Sequence, residues 1–310
     1  MATDTPPKTL VEAVRYFAVP ENCLSYLVAT RWPGGVSCPH CHSQGVYFDK
    51  TRMGWICKSQ HPKRKFSLKT GTIFEDSPIG LDKWLPAVWI IAGAKNGISS
   101  HELARALGVT QKTAWFMLHR IRNAAMTKEF NTPPLTGTVE MDECYVGPNP
   151  RFQHADKRAK QGKQRQLNKR IVFGMAQRDG DIRLHFVPNT TLKTTIPLVK
   201  QHVARGTRVH TDESSRYSWL NVSYAHEFIN HSLGQYVQGD VTTNTIEGVF
   251  SHFRRTMVGT YHKCDTVHLD RYLQMFAFRW NTRKQGESER VNALLRATQG
   301  RRITYQQLTE

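Results

Sequence analysis

The sequence predicts a mixed α/β protein made of a small cysteine-rich module, a helical block and a larger domain of strands and helices. Three observations carry this expectation. Cys38, Cys41 and Cys57, three of the six cysteines, fall within one twenty-residue window. Apolar residues then recur at helical spacing from Leu81 to about Met126. From Thr138 onward the pattern changes to the two-residue alternation of strands.

The charge points to a partner. Forty-three Lys and Arg stand against 25 Asp and Glu, a formal net charge of +18 in 310 residues. Each Lys or Arg placed on a phosphate releases a counterion, so a nucleic acid is the economical partner, ahead of a ribosomal or membrane-surface role. No run reaches the roughly 18 to 20 apolar residues that span a bilayer. The longest, around Trp84 to Ala94, contains Pro86 and is followed by Lys95, and it reads as a buried helix. The first ten residues carry neither a basic nor an apolar leader region, so the expectation is a protein that stays inside the cell, with no membrane partner.

Residues 9–32 carry two helical stretches, Leu10, Val11, Val14 and Phe17, then Cys23, Leu24, Tyr26 and Leu27. Pro20 and Glu21 are expected to separate them, and Trp32-Pro33-Gly34-Gly35 ends the second. In the segment that follows, Cys38-Pro39-His40-Cys41 is a Cys-x2-Cys knuckle, and Cys57 lies sixteen residues beyond Cys41. A structural zinc site needs four thiolate or imidazole donors. A fourth cysteine would fall at position 60, where Gln60 stands, and His61 comes next. The expected zinc ligands are therefore Cys38, Cys41, Cys57 and His61, with His40 and His42 as rivals for the fourth place. Such a closed site staples a segment too small to fold alone. Trp55 and the run His61-Pro62-Lys63-Arg64-Lys65 are expected on the surface of this ribbon, suited to a DNA backbone.

The helical block holds a second pattern. Ile98 to Leu107 begins with serine caps and places Leu103, Ala104 and Leu107 on one face; Gly108-Val109-Thr110 is a tight turn with a new cap. The next helix, Gln111 to about Ala124, is expected to bury Ala114, Trp115, Leu118 and Ile121. That is the pattern of a helix-turn-helix. Gln111, Lys112, His119 and Arg120 would then face a DNA major groove. Asn131-Thr132-Pro133-Pro134 reads as a linker. The expected organisation is 1–77 for the N-terminal helices and ribbon, 78–130 for the helix-turn-helix, 131–285 for the α/β domain and 286–310 for a C-terminal tail.

Strands are expected at Thr138–Val146, Arg170–Met175, Ile182–Val187 and Arg208–Thr211. Helices are expected from about Thr191 to Ala204 and as one long region from Thr243 to Arg283. Between the first two strands, residues 150–170 hold eight Lys and Arg and one Asp, the composition of a mobile basic loop. Asp142 and Glu143 interrupt an apolar strand and point to opposite faces, so one belongs to a site and the other does not. Asp212 follows a strand's end. Glu247 opens the long helix with Asn244 three residues earlier on the same face, and Arg254 extends that face two turns on. Acids from two strands and a helix suit two Mg2+ ions, or Mn2+, which take oxygen ligands and drive in-line displacement at phosphorus.

Val139-Glu140-Met141-Asp142-Glu143, His210-Thr211-Asp212 and Asn244-Thr245-Ile246-Glu247-Gly248 with Arg254 resemble the ISXO2-like transposases of the IS1595 family. So do Trp32 to Val36 before the knuckle, Phe66 to Phe74, and Gly97 to Arg122. The resemblance implies an RNase H-like DDE catalytic domain behind a zinc ribbon and helix-turn-helix, with Asp142 and Asp212 as metal ligands. The interval from Asp212 to Glu247 (247 − 212 = 35) fits such recombinases, and Arg254 stands where a Lys or Arg follows the glutamate. Asn is also described as the third catalytic residue of this group, which makes Asn244 the alternative to Glu247. Thr242 departs from relatives, which often carry His there. The resemblance further implies a bacterial cytoplasmic enzyme, nucleoid-associated when acting. It would bind the terminal inverted repeats of an insertion sequence and target DNA as a dimer or higher oligomer. The competing readings are a transposase-derived DNA-binding regulator that does not cut and an RNase H-type nuclease.

Overall fold

The computed structural model describes residues 5–127, 130, 133–147, 169–212, 215–229 and 239–309. The basic segment 150–170, except its last two residues, lies outside these, as do Asn131 and Thr132 of the linker. Packing divides the chain into two units, Met1–Thr127 with Thr282–Glu310, and Lys128–Asn281.

In the first unit, helix α1 (Leu10–Phe17) starts at a capping box: Thr9 accepts from the Glu12 amide, and the Glu12 carboxylate reaches back to the Thr9 amide. It buries Ala13, Tyr16 and Phe17 and leaves Leu10, Val11 and Val14 exposed. The aromatic stripe wins because Tyr16 and Phe17 pack edge-on against Tyr26 of α2 (Pro20–Arg31). Pro20 does not separate the helices; it opens α2 at its first position, where its missing N–H costs nothing. Strands β1 (Val46–Asp49), β2 (Gly54–Cys57) and β3 (Lys65–Phe66) form an antiparallel sheet in that order. Trp55 is buried and is not on the ribbon's surface: it stacks on Phe66 at 5.8 Å and meets Trp32 edge-on at 5.5 Å. So small a sheet needs that aromatic core.

Helix α3 (Leu81–Gly93) is apolar nearly all round and buries Trp84 and Trp89. Helix α4 (Ser100–Leu107) has a capping box between Ser99 and Glu102 and ends at Gly108, whose φ of 61° is left-handed. Thr110 caps α5 (Gln111–Ala125) through the Thr113 amide.

The second unit is built on a five-stranded sheet. Strands β4 (Thr138–Val146), β5 (Arg170–Gln177) and β6 (Ile182–Val187) are antiparallel neighbours. Helix α6 (Leu192–His202) follows, then β7 (Arg208–Asp212) and β8 (Ala225–Ile229), and the sheet order is β6-β5-β4-β7-β8 with β4, β7 and β8 parallel. Each sheet face has its own apolar layer. Val139, Met141 and Phe173 pack with Val199 of α6 on one side. Cys144, Val172 and Leu184 pack on the other with residues of α7 (Asn244–Thr256) and α8 (Leu269–Asn281).

The long helix expected from Thr243 to Arg283 is thus two helices. A π-turn at Met257–Tyr261 and His262 at φ 57° end the first, which lets both lie on the same sheet face. Helix α7 lies close over Gly174 of β5, the register partner of Asp142: a Cβ there would sit 2.7 Å from Phe250 and 2.8 Å from Ile246.

The chain then returns to the first unit. Helix α9 (Glu287–Arg296) buries Val291, Leu294 and Leu295. Its Asn292 accepts from the Tyr26 hydroxyl at 2.7 Å, and its Glu287 accepts from the Trp89 indole at 3.1 Å. A short α10 (Gln306–Thr309) follows. The region read as a tail therefore supplies core contacts to the first unit. Among the described residues no helix is long and apolar enough to cross a membrane.

Candidate functional site

The ribbon brings its expected ligands together. The knuckle turns at Cys38–His42, where the His42 amide donates to the Cys38 carbonyl at 2.9 Å and His42 takes a φ of 60°. Cys57 ends β2 and His61 sits in the following loop. The ligand atoms of Cys38, Cys41, Cys57 and His61 all lie within 4.8 Å of one another, with Cys38 Sγ 3.5 Å from His61 Nε2 and Cys41 Sγ 3.6 Å from Cys57 Sγ. Three sulfurs and an imidazole at these separations fit a tetrahedral zinc ion, and the set supports a structural Zn2+. Burial raises the Cys57 thiol, but hydrogen bonds from His61, Ser59 and Cys41 outweigh it and bring it down to about 6, toward the thiolate a metal needs. His40 and His42 are outside the group.

In the second unit, strand alternation separates the two neighbouring acids. Glu143 lies on the α6 side, where its carboxylate accepts from the buried Tyr217 hydroxyl at 2.9 Å. Asp142 shares the α7 side with Cys144 and is half-buried. Burial, and after it the charges of Glu143, Asp212 and Glu247, push its carboxyl up to about 7, while the Glu143 amide, donating at 2.7 Å, pulls the other way. Acids from β4, β7 and α7 thus act on one carboxyl. Asp212 is the last residue of β7, and Glu247 is exposed in the first turn of α7, accepting from Thr243 Oγ1 at 3.1 Å. Asn244, the first residue of α7, is exposed. Arg254 bears on the Cys144 thiol, two residues beyond Asp142 on the same face, and works against the rise that burial gives it. Carboxylates from three elements acting on one another fit hard divalent cations.

Sequence reasoning missed Glu140. This side chain is fully buried, ion-paired to Arg178 at 2.8 Å and hydrogen-bonded to the first turn of α7. A signal was present: Glu140 is two residues before Asp142 and so on the same face of an apolar strand. Its partners are 38 and 105 residues away, beyond any local pattern.

Two expected DNA-facing residues of α5 are corrected. His119 is fully buried, its ring 4.3 Å from that of Trp115. Arg120 is buried too, its guanidinium donating to the carbonyls of Ile73, Glu75 and Ile303. Helix α5 is surrounded by its own unit along most of its length, and a guanidinium with that many carbonyl partners is a structural strut. Gln111 and Lys112, in the first turn, are exposed.

The chain thus carries a three-cysteine, one-histidine ribbon ahead of an α/β domain in which the charges of Asp212 and Glu247 bear on Asp142, a layout that points to the transposase class. Residues 134–281 match the model of the ISXO2-like transposase domain, and residues 20–59 match the transposase zinc-ribbon domain. The chain belongs to the ISXO2-like transposases of the IS1595 group. It is also similar to a Halobacterium salinarum protein described as an uncharacterized protein in transposable element ISH50. The two are 27% identical over 296 residues, 91% of this chain and 98% of that one.

Proposed function

We propose that this protein is a DDE-type DNA transposase that binds the terminal inverted repeats of its insertion sequence, cuts a strand at the element end and joins the freed 3′-OH to target DNA. The observation that supports this reading is the charge of Asp212, at the end of a neighbouring strand, and of Glu247, in the first turn of α7, both bearing on the carboxyl of Asp142, which stands raised to about 7. The sheet order, three antiparallel strands followed by two parallel ones, supports an RNase H-like fold for the domain.

Asp142 and Asp212 would hold Mg2+ or Mn2+, with Glu247 or Asn244 as the third ligand; the charge of Glu247 on Asp142 favours Glu247. A pair of such ions supplies charge neutralisation at the scissile phosphate and activation of the attacking oxygen. Arg254, exposed on the same helix, would hold a DNA phosphate. Helices α4 and α5 would form the helix-turn-helix, reading DNA through the exposed first turn that carries Gln111 and Lys112. Coupling two element ends calls for a dimer or higher oligomer on DNA.

The test is cleavage of a labelled element end in Mg2+ by wild type and by the Asp142→Ala, Asp212→Ala, Asn244→Ala and Glu247→Ala variants. Both Asp variants should lose nicking by about 100-fold or more while still binding DNA, an effect of the size seen on removing a charge-stabilising group. Of the other two, the variant with the equal loss identifies the third ligand. Binding without cleavage by wild type in any divalent metal would instead make the protein a regulator.

A further inference from the structure

We infer that Glu140 and Arg178 form a positioning device that fixes the first turn of α7, and with it Asn244 and Glu247, against the strand that carries Asp142. The geometry stands by itself; its purpose rests on the transposase reading above.

Thr243, at the N-cap of α7, makes no side-chain capping bond, and the local hydroxyl of Thr242 reaches the Asn244 amide at 3.2 Å and not those of Thr245 and Ile246. Glu140, from the middle of β4, supplies the cap. Its Oε2 accepts from the amides of Thr245 at 2.7 Å and Ile246 at 3.0 Å, and its Oε1 from Thr245 Oγ1 at 3.0 Å. Arg178 Nε donates to Oε1 at 2.8 Å. Four donors thus satisfy a carboxylate with no solvent exposure, and its charge sits at the positive end of the helix.

Arg178 carries the connection further. Its Nη2 donates to His210 Nδ1 at 3.1 Å and to the Thr242 carbonyl at 3.3 Å. Accepting on Nδ1 leaves the His210 proton on Nε2, which faces Glu227 at 3.5 Å. Glu140 and His210 are register partners across the parallel strands β4 and β7. Asp142 and Asp212 each lie two residues beyond that pair. One ion pair, its carboxylate buried and its guanidinium partly so, therefore touches all three segments that bear the candidate metal ligands, one pleat or one turn away from each.

A local cap at Thr243 would stabilise α7 alone. A cap donated by β4 also fixes the rotation and height of α7 relative to Asp142, which an apolar contact allows to slide. Glu140 and Arg178 touch no reacting atom in this scheme and act through Glu247 or Asn244.

The test uses the full-length protein with Glu140→Gln and Arg178→Lys, the second keeping the charge but not the planar fork. Three readouts are taken: amide hydrogen exchange at Thr245 and Ile246, binding of Mn2+ alone by electron paramagnetic resonance, and cleavage kcat beside DNA affinity. In Glu140→Gln the two amides should exchange about tenfold faster and Mn2+ should bind about 10- to 100-fold more weakly, the usual penalty for losing a group that orients a metal ligand. Cleavage kcat should fall with unchanged DNA affinity. If Glu140→Gln does not fold, Arg178→Lys decides by the same readouts at smaller amplitude. Wild-type exchange and wild-type Mn2+ affinity in a folded variant would overturn the inference. Should wild type bind Mn2+ and never cut DNA, the transposase reading fails, while exchange and metal binding still judge the tether.

Discussion

Asp142 concentrates the energetics of the acid cluster in one side chain. Burial and the charges of Glu143, Asp212 and Glu247 bring its carboxyl to about 7 in the folded protein, against an ordinary value of 3.8. Between those values the folded protein holds a proton that the unfolded chain has released. Its contribution to stability is therefore complete below about 4 and is lost as pH rises through 7, by at most about 4 kcal/mol. Protein freed of divalent ions should accordingly melt lower at pH 8 than at pH 5. Asp142→Asn should flatten that slope and raise the melting temperature at pH 8, and added Mg2+ should do the same for wild type. An unchanged slope in the variant would remove Asp142 as its source. At the ribbon, zinc content should drop from one equivalent in wild type to near zero in Cys57→Ala, and fall in His61→Ala. His40→Ala and His42→Ala should keep the metal, and loss of zinc in either would give the fourth place to that histidine. The thiols and acids could be picked out along the chain because their chemistry is rare in apolar surroundings. Glu140 could not, since the partners of its buried charge come from β5 and α7.

At the scale of elements, the approach of α7 to β5 decides where Glu247 stands. Gly174→Ala would place a methyl group against Ile246 and Phe250, both packed and neither free to withdraw. Overpacking of this kind costs about 1–3 kcal/mol. The expected outcome is a lower melting temperature together with weaker Mg2+-dependent cleavage, since the helix moves away from Asp142. A variant that melts lower but cuts normally would show that the contact serves stability alone. Helices and strands with a clean period were legible: β4, β6 and the α4–α5 pair fall where alternation, caps and Gly108 place them. The split of the region after Thr243 was not, because the residues around His262 carry no Pro and a single glycine, Gly259, and both helices pack on one sheet face. The exposure of α5 was misjudged for a related reason. Helical period identifies one apolar face, but α5 is covered on more than one: His119 is buried beside Trp115, and Arg120 is buried by contacts from distant segments.

For the molecule as a whole, the charge of +18 makes DNA affinity a salt-dependent quantity. Binding of an element end should weaken by about 10³-fold or more between 50 and 200 mM salt if six or more phosphates are contacted. Gln111→Ala should reduce discrimination between end and random DNA without changing that slope, whereas Lys112→Ala should lower the slope by about one if it contacts phosphate. A salt-independent affinity would count against the polyanion reading. The two packed units do not follow the chain in simple order, since α9 closes the first unit after the chain has built the second. Sequence by itself determined the family, three of the ribbon's four donors and the acids as candidates, because donor chemistry and short spacings are written locally. Only the tertiary structure decided which face each acid takes, which arginines are struts, and that a Glu140–Arg178 pair ties α7 to the sheet. Those outcomes depend on burial and on partners as far as 183 residues apart, as Arg120 and Ile303 are, and a buried charge reveals its purpose only when its partners are in place.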